Sequence, residues 1–103
     1  MDIFVINGKE CPFLFCWGAY KELLKLTIEQ GEDSSAGIEF HDKGIYQGFV
    51  WGAKKEKQKV IKYDELLEFF DLNDDDHDKI TELYLKQYGV QKKRMDKMLL
   101  LNT

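Results

Sequence analysis

The sequence predicts an α+β fold in which an N-terminal β-hairpin precedes several helices, so that the domain is predominantly helical. Strand-prone apolar runs are concentrated before residue 18, whereas apolar residues at intervals of three and four dominate afterwards. Strands and helices therefore do not alternate along the chain. This order disfavours a parallel βαβ arrangement and favours an α+β layout.

The hairpin is predicted from two apolar runs, residues 3–6 and 11–17, that flank Asn7 and Gly8. Asn-Gly is a residue pair that readily adopts the positive φ angles of a type I′ turn. Pro12 has no backbone N–H, so we expect it at a sheet edge or at the start of the second strand. The predicted sheet is therefore small.

Three amphipathic stretches predict helices over residues 19–30, 63–70 and 80–88. In each of them apolar residues recur on one side of the helix, with charged residues between. Glycine is common just beyond the C-terminus of a helix. The first and last of these helices are therefore predicted to end at Gly31 and Gly89.

The stretch between the first two helical regions allows more than one assignment. Residues 31–37 are polar and flanked by glycine, which predicts a loop. Residues 38–53 carry apolar residues at helical spacing. They also contain three glycines at four-residue intervals, Gly44, Gly48 and Gly52. In a helix these glycines form a stripe that another backbone or an aromatic ring can approach closely; in irregular structure they act as hinges.

The length and composition predict one domain over residues 1–90, followed by a basic and apolar C-terminal segment at residues 91–103. A chain of 103 residues with 44% hydrophobic residues can build one core and is too short for two. The C-terminal segment is predicted to be helical or to form a subunit contact, because a small core has little room for its apolar residues.

The composition also disfavours several classes of function. The net charge of −4 gives no chain-wide attraction to phosphate, so no nucleic-acid partner is expected. No apolar run reaches the roughly 18 residues that span a bilayer, so no membrane partner is expected. The N-terminus lacks the basic and apolar regions of a signal peptide, which predicts a cytoplasmic protein.

No catalytic or metal-binding motif is evident in the sequence. Cys11 and Cys16 are five positions apart, which matches neither redox nor zinc motifs, and we expect them to act as small apolar residues. His41 and His77 are 36 positions apart and are expected to be isolated at the surface. We therefore predict no cofactor and no enzymatic activity.

The acidic stretch at residues 71–82 suggests an alternative function as a calcium-binding module. Its first, third, fifth and twelfth residues carry oxygen-bearing side chains, as in an EF-hand loop. Its sixth residue is Asp76, where that loop needs glycine. In the competing interpretation, one residue of the stretch caps the following helix and the other acids occupy its first turn.

Several short motifs together resemble a known protein family. They are the Asn-Gly turn at 7–8, Phe-Leu-Phe-Cys-Trp-Gly at 13–18, Ala-Tyr-Lys-Glu-Leu-Leu at 19–24, Gly-Ile-Tyr-Gln-Gly-Phe at 44–49, Tyr-Asp-Glu-Leu at 63–66 and Asp-Asp-Asp-His-Asp-Lys-Ile at 74–80. In this order, over residues 1–90, they are similar to the tail assembly chaperones of long-tailed bacteriophages and prophages. Gln47 departs from the small residue expected there, and residues 95–101 have no counterpart in the family pattern.

The resemblance implies a non-enzymatic protein in the cytoplasm of a bacterial host. Such a protein coats the tape-measure protein, passes it to tail-tube subunits and is absent from the finished virion. In that family a longer form is often made by ribosomal frameshifting, and this chain corresponds to the short form. The apolar C-terminal segment adds an expectation of self-association.

We expect the partner-binding surface beside the glycine stripe and at the C-terminal end of the chain. The residues proposed for it are Trp17, Tyr46, Phe49, Trp51, Met95, Met98 and Leu99. Burial of the aromatic residues in the chain's own core is the competing interpretation. A small adaptor or inhibitor that docks a host protein is a further alternative, since it needs only exposed aromatic residues.

Overall fold

Within the residues that the structure describes, two strands and four helices follow one another. The computed structural model describes residues 1–30 and 36–101; residues 31–35 of the predicted loop lie outside this range, and residues 36–37 already belong to a helix. The elements are β1 (Asp2–Ile6), β2 (Lys9–Phe13), α1 (Trp17–Gln30), α2 (Ala36–Lys55), α3 (Tyr63–Leu72) and α4 (Asp74–Leu101). The predicted α+β class, with an N-terminal hairpin and a mostly helical remainder, is confirmed.

β1 and β2 form an antiparallel hairpin around the predicted turn. Asn7 and Gly8 have φ angles of 52° and 79°, the positive values that a type I′ turn requires. Pro12 lies within β2, opposite Ile3. Its missing N–H is tolerated because the sheet has only two strands, so each strand is an edge strand.

α2 is a continuous helix through its three glycines, and the hairpin lies against two of them. A Cβ at Gly48 would overlap the ring of Phe13, and a Cβ at Gly52 would overlap the backbone carbonyl of Pro12. The N–H of Leu14 donates to the carbonyl of Gly48 at 2.9 Å. The helical interpretation of this stretch is therefore confirmed, and β2 is the backbone that approaches it.

Aromatic side chains cover two further glycines. The hydroxyl end of Tyr84, on α4, lies where a Cβ of Gly44 would be, and the indole of Trp51 lies where a Cβ of Gly18 would be. Replacing Gly44 or Gly18 by alanine would therefore displace an aromatic ring. The close approach of α2 to α1 and α4 thus depends on missing side chains as well as on burial.

α3 and α4 meet at a single non-helical residue, Asn73. Its side-chain amide donates to the carbonyl of Phe69 at 2.8 Å and so satisfies a free acceptor at the end of α3. The prediction that a helix starts at residue 80 and stops at Gly89 is wrong, because α4 runs through both positions. One glycine costs a helix about 1 kcal/mol, which is small beside the packing that holds the turns before it.

Aromatic rings make up much of the core between the hairpin and the helices. Phe13 and Phe49 meet edge to face with centroids 5.0 Å apart, and Phe15 meets Tyr84 in the same way at 5.1 Å. Such pairs add to the stabilisation that burial alone provides. The largest fully buried side chains are Tyr20, Phe13, Phe15, Phe49, Ile6, Leu23, Ile45, Leu66 and Ile80.

α4 spans most of the long dimension of the molecule. Its 28 residues correspond to about 42 Å at 1.5 Å per residue, against a longest extent of 48 Å. The predicted C-terminal segment is therefore helical as far as Leu101, and it continues α4 without a break.

Candidate interaction surface

The core-facing side of α4 continues beyond the body of the domain as an exposed apolar row. Ile80 and Tyr84 are 0% and 2% exposed in the first half of the helix. Further along the same side, Met95 is half-buried, Met98 is 45% exposed and Leu99 is 57% exposed. Steps of three and four residues keep such positions on one side of a helix. We call Met95, Met98 and Leu99 the terminal stripe.

Trp17 anchors the second half of α4 to the start of α1. Its indole stacks on the ring of Tyr20 with centroids 5.7 Å apart and an interplanar angle of 16°. The guanidinium carbon of Arg94 lies 4.8 Å from the centroid of the same indole. A cation–π contact at an exposed site contributes about 0.5–1 kcal/mol. Trp17, predicted as a partner-binding residue, is thus half-buried and holds α4 just before the terminal stripe begins.

Basic side chains accompany the terminal stripe. Lys92 and Lys97 are exposed on this part of α4. Methionine side chains adapt their shape to different partners, and an apolar row at helical spacing suits a partner helix. The end of α4 therefore has the chemistry of a surface that takes an apolar helix with acidic flanks.

The aromatic residues predicted beside the glycine stripe pack mainly within the fold. Phe49 is 1% exposed, so its predicted place at a partner surface is wrong; the hairpin lies directly over this side of α2. Trp51 is half-buried, with the ammonium of Lys54 4.5 Å from its ring centroid. Its indole nitrogen is buried and has no hydrogen-bond partner among the described residues. Tyr46 is half-buried against Tyr63, with centroids 5.3 Å apart, and burial raises the pKa of Tyr46.

Residues 71–82 do not form the loop that an EF-hand would need. Asp71 lies in α3, Asn73 stands between the helices, and Asp75 and Glu82 lie in α4. A helix directs successive carboxylates around its circumference, whereas an EF-hand loop directs them at one ion. In the part of the chain that the structure describes, no group of three or more His, Cys, Asp or Glu side chains is placed to hold a metal. The aspartates in the first turn of α4 instead stabilise the helix, because their negative charges lie at the positive end of its dipole.

The prediction that His41 and His77 are isolated at the surface is wrong. Both are half-buried, and their rings lie 6.2 Å apart between α2 and α4. The ring of Phe70, on α3, lies 4.5 Å from that of His77. The hydroxyl oxygen of Thr81 is 3.5 Å from Nε2 of His41. The fold thus brings two distant histidines together where three helices meet.

Helical spacing is the signal that would have revealed this histidine pair. His41 precedes the buried Ile45 by four residues and His77 precedes the buried Ile80 by three, so both lie on core-facing sides. Burial lowers the pKa of His41, and positive charge on His77 lowers it further, whereas the nearby carboxylate of Asp42 raises it. Burial also raises the pKa of Asp42.

A cleft of about 290 Å³ lies between β2, the end of α2 and the connector that leads to α3. Charges of both signs line it. The charged lining residues are Lys9, Glu10, Lys59, Lys62 and Glu65. Cys11 also lines the cleft, and burial raises the pKa of its thiol, which favours the unreactive protonated form. Cys11 and Cys16 are both half-buried free thiols.

Comparisons with known proteins give no relative: no protein-family model, no curated protein and no solved structure matches this chain. The functional argument therefore rests on the residues and their geometry. None of the helices within residues 1–30 and 36–101 has both the length and the hydropathy needed to cross a membrane. Of the residues predicted for partner binding, the fold places Met95, Met98 and Leu99 together on one accessible side of a helix.

Proposed function

We propose that this chain is a non-enzymatic tail assembly chaperone of a long-tailed phage or prophage, which binds the tape-measure protein and tail-tube subunits in the bacterial cytoplasm. The order of the motifs along residues 1–90 supports the choice of family. The observation that carries the proposed mode of partner binding is the terminal stripe, where Met95, Met98 and Leu99 extend the core-facing side of α4 into solvent.

The terminal stripe suits a partner that is long, helical and apolar on one side. Such a partner presents anchors at intervals of three and four residues, which match the spacing of Met95, Met98 and Leu99. Met side chains accommodate anchors of different shape, so one stripe can hold successive segments of a repetitive helix. The neighbouring lysines attract acidic flanks of the partner, although each exposed ion pair contributes little.

Co-expression with the tape-measure and tail-tube proteins encoded nearby tests this function. We expect the tape-measure protein, insoluble alone, to remain soluble in a complex with several copies of this chain. Light scattering on the purified complex gives its mass and therefore the number of copies. The double variant Met98→Ser/Leu99→Ser should abolish the complex, because it removes most of the exposed apolar area of the terminal stripe.

Ile38→Ser is the matched control for this experiment. Ile38 is 78% exposed on α2 and lies outside the terminal stripe, so its substitution removes an even more exposed apolar side chain and should leave the complex intact. Far-UV circular dichroism confirms that each variant remains folded. Binding of neither partner by the wild-type chain would contradict the chaperone function and favour the adaptor alternative. An intact complex with the double variant would show that the terminal stripe is not the binding surface.

A further inference from the structure

Charge is distributed unevenly along the length of α4. Residues 74–87, the first half of the helix, contain five acidic and two basic side chains, for a net charge of −3. Residues 88–101, the second half, contain four basic and one acidic side chain, for a net charge of +3. The two halves are thus equal and opposite about the midpoint of the helix.

Gly89 lies near this midpoint and has no packing role within the chain. A Cβ built on it meets no atom within 4 Å, whereas Gly44, Gly48 and Gly52 are each covered closely. A glycine inside a helix costs about 1 kcal/mol relative to alanine. Leu85 and Val90, on either side of it, are 54% and 59% exposed. The centre of this side of α4 therefore combines a missing side chain with exposed apolar neighbours.

We propose that the outward side of α4 pairs in antiparallel orientation with the same side of a second copy of this chain, with the two helices crossing near Gly89. The positions on this side follow one another at steps of three and four residues, as in a helix–helix seam. They are Lys79, Glu82, Lys86, Gly89, Lys93 and Asp96, all exposed except for the half-exposed Gly89.

Antiparallel pairing about the midpoint places opposite charges across the seam. In this register, a residue of one copy faces the residue of the other copy for which the two sequence numbers add up to 175. Glu82 of one copy therefore faces Lys93 of the other, and Lys79 faces Asp96. Lys86 faces Gly89, where the missing side chain leaves room for the apolar stem of the lysine. A parallel pair would instead oppose identical charges, which costs energy.

Within one chain Lys79 and Glu82, like Lys93 and Asp96, are three residues apart and can pair only weakly on the helix surface. Glu82 and Lys93 belong to one continuous helix, and their separation of eleven residues corresponds to about 16 Å along its axis, so they cannot reach each other. A second copy in antiparallel orientation brings them together twice, once on each side of the twofold axis. The seam lies on the side of α4 opposite Ile80 and the terminal stripe, so both surfaces can be occupied at once.

Sedimentation of the purified chain alone tests this proposal, at concentrations from micromolar to millimolar. We expect a dimer of about twice the 12.1 kDa chain mass. The dimer should dissociate at high salt, because the charge pairs across the seam are exposed to solvent. Glu82→Lys and Lys93→Glu should each weaken the dimer by about tenfold or more, since each reversal creates two like-charge contacts. The double variant Glu82→Lys/Lys93→Glu should restore it, because the pairs re-form with the signs exchanged.

Lys21→Glu, an equal change of charge on the exposed side of α1, is the control and should leave the dimer unchanged. A chain that remains monomeric throughout, or a dimer that both single reversals leave intact, would overturn the proposal, as would failure of the double variant to recover. Met98→Ser/Leu99→Ser should leave the dimer intact. The assay uses no partner protein, so its outcome is independent of the chaperone function.

Discussion

The two longest helices differ in how their inward sides are covered. The inward side of α2 carries glycines, and neighbouring parts of the chain cover each of them: β2 lies against Gly48 and Gly52, and Tyr84 lies against Gly44. The inward side of α4 is mostly apolar, with Gln87 and Gln91 as half-buried polar exceptions, and the core covers it only as far as Met95. In its second half Met98 is 45% exposed.

The same periodic pattern of apolar residues thus occurs both on a helix side that the chain covers and on one that it leaves exposed. Periodicity identifies the side of a helix that avoids water, but it does not identify what covers that side. On α2 the hairpin approaches so closely that only glycine, which has no side chain, fits at the points of contact. At the end of α4 the apolar side chains are present and no part of the described chain covers them, which is why the terminal stripe enters the proposed function.

Adding a methyl group to the covered side of α2 should have the largest effect. A Cβ at Gly52 would overlap the backbone carbonyl of Pro12, and a backbone group cannot move aside as a flexible side chain can. We expect Gly52→Ala to destabilise the domain by about 4 kcal/mol or more, close to the whole stability of a small domain. Chemical denaturation followed by circular dichroism measures this loss.

Gly89→Ala is the matched control for that variant, because it makes the same substitution inside a helix where no atom lies within 4 Å. Measured at low protein concentration, it should stabilise the domain by up to about 1 kcal/mol through helix propensity. Equal effects of the two substitutions would contradict the close contact between β2 and α2.

Truncation on the inward side of α4 should have an effect that depends on position along the helix. Ile80 is fully buried, so Ile80→Ala should cost about 3 kcal/mol through lost burial and the cavity that remains. Met98→Ala, at the exposed end of the same side, should cost less than about 0.5 kcal/mol. Thermal unfolding of both variants measures the contrast, and a similar loss at both positions would show that the terminal stripe is covered within one chain.

Lowering the pH should produce the smallest effect, through the histidine pair. Burial lowers the pKa of His41 below 6.5, so the unfolded chain binds this proton more readily than the folded chain. Stability is therefore fully present above pH 6.5 and decreases as the pH falls through 6.5 toward the lower pKa of the folded state. His41→Gln should flatten this decrease, as measured by melting temperature between about pH 7.5 and 5.5.

His77→Gln serves as the comparison in the same pH range. It removes one neighbouring positive charge but leaves the burial of His41, the larger cause of its lowered pKa, so most of the pH dependence should remain. Asp42 acts in the opposite sense at lower pH, because its raised pKa favours the folded state as protons bind. A decrease in stability that His41→Gln leaves unchanged would assign the effect to other groups.

Local sequence signals predicted the elements of the fold well. The Asn7-Gly8 turn, the amphipathic helices and the close-packing glycines of α2 all follow from preferences that act within a few residues of one another. Met95, Met98 and Leu99 were also singled out because they stand together in the sequence, and their binding of a partner stays a prediction. In each case the pattern lies within one element and needs no knowledge of its neighbours.

Predictions that depended on neighbouring elements were less accurate. Gly89 reads as a helix end, yet α4 continues through it. Residues 71–82 allowed either an EF-hand loop or the start of a helix, and the structure has the helix, with only Asn73 between α3 and α4. For Phe49 the sequence left a partner surface and the core both open, because nothing in it states that the hairpin lies over α2, and the structure has the residue buried.

The sequence by itself therefore determined the class of fold, the turn of the hairpin and the apolar side of each helix, because these depend on short-range backbone preferences and on periodicity. Only the tertiary structure decided what covers each side. It placed His41 beside His77, put Gly48 and Gly52 of α2 beneath β2 and left the end of α4 uncovered by the described residues. Such contacts join residues tens of positions apart, and their free energy depends on how whole surfaces fit together, which no local pattern contains.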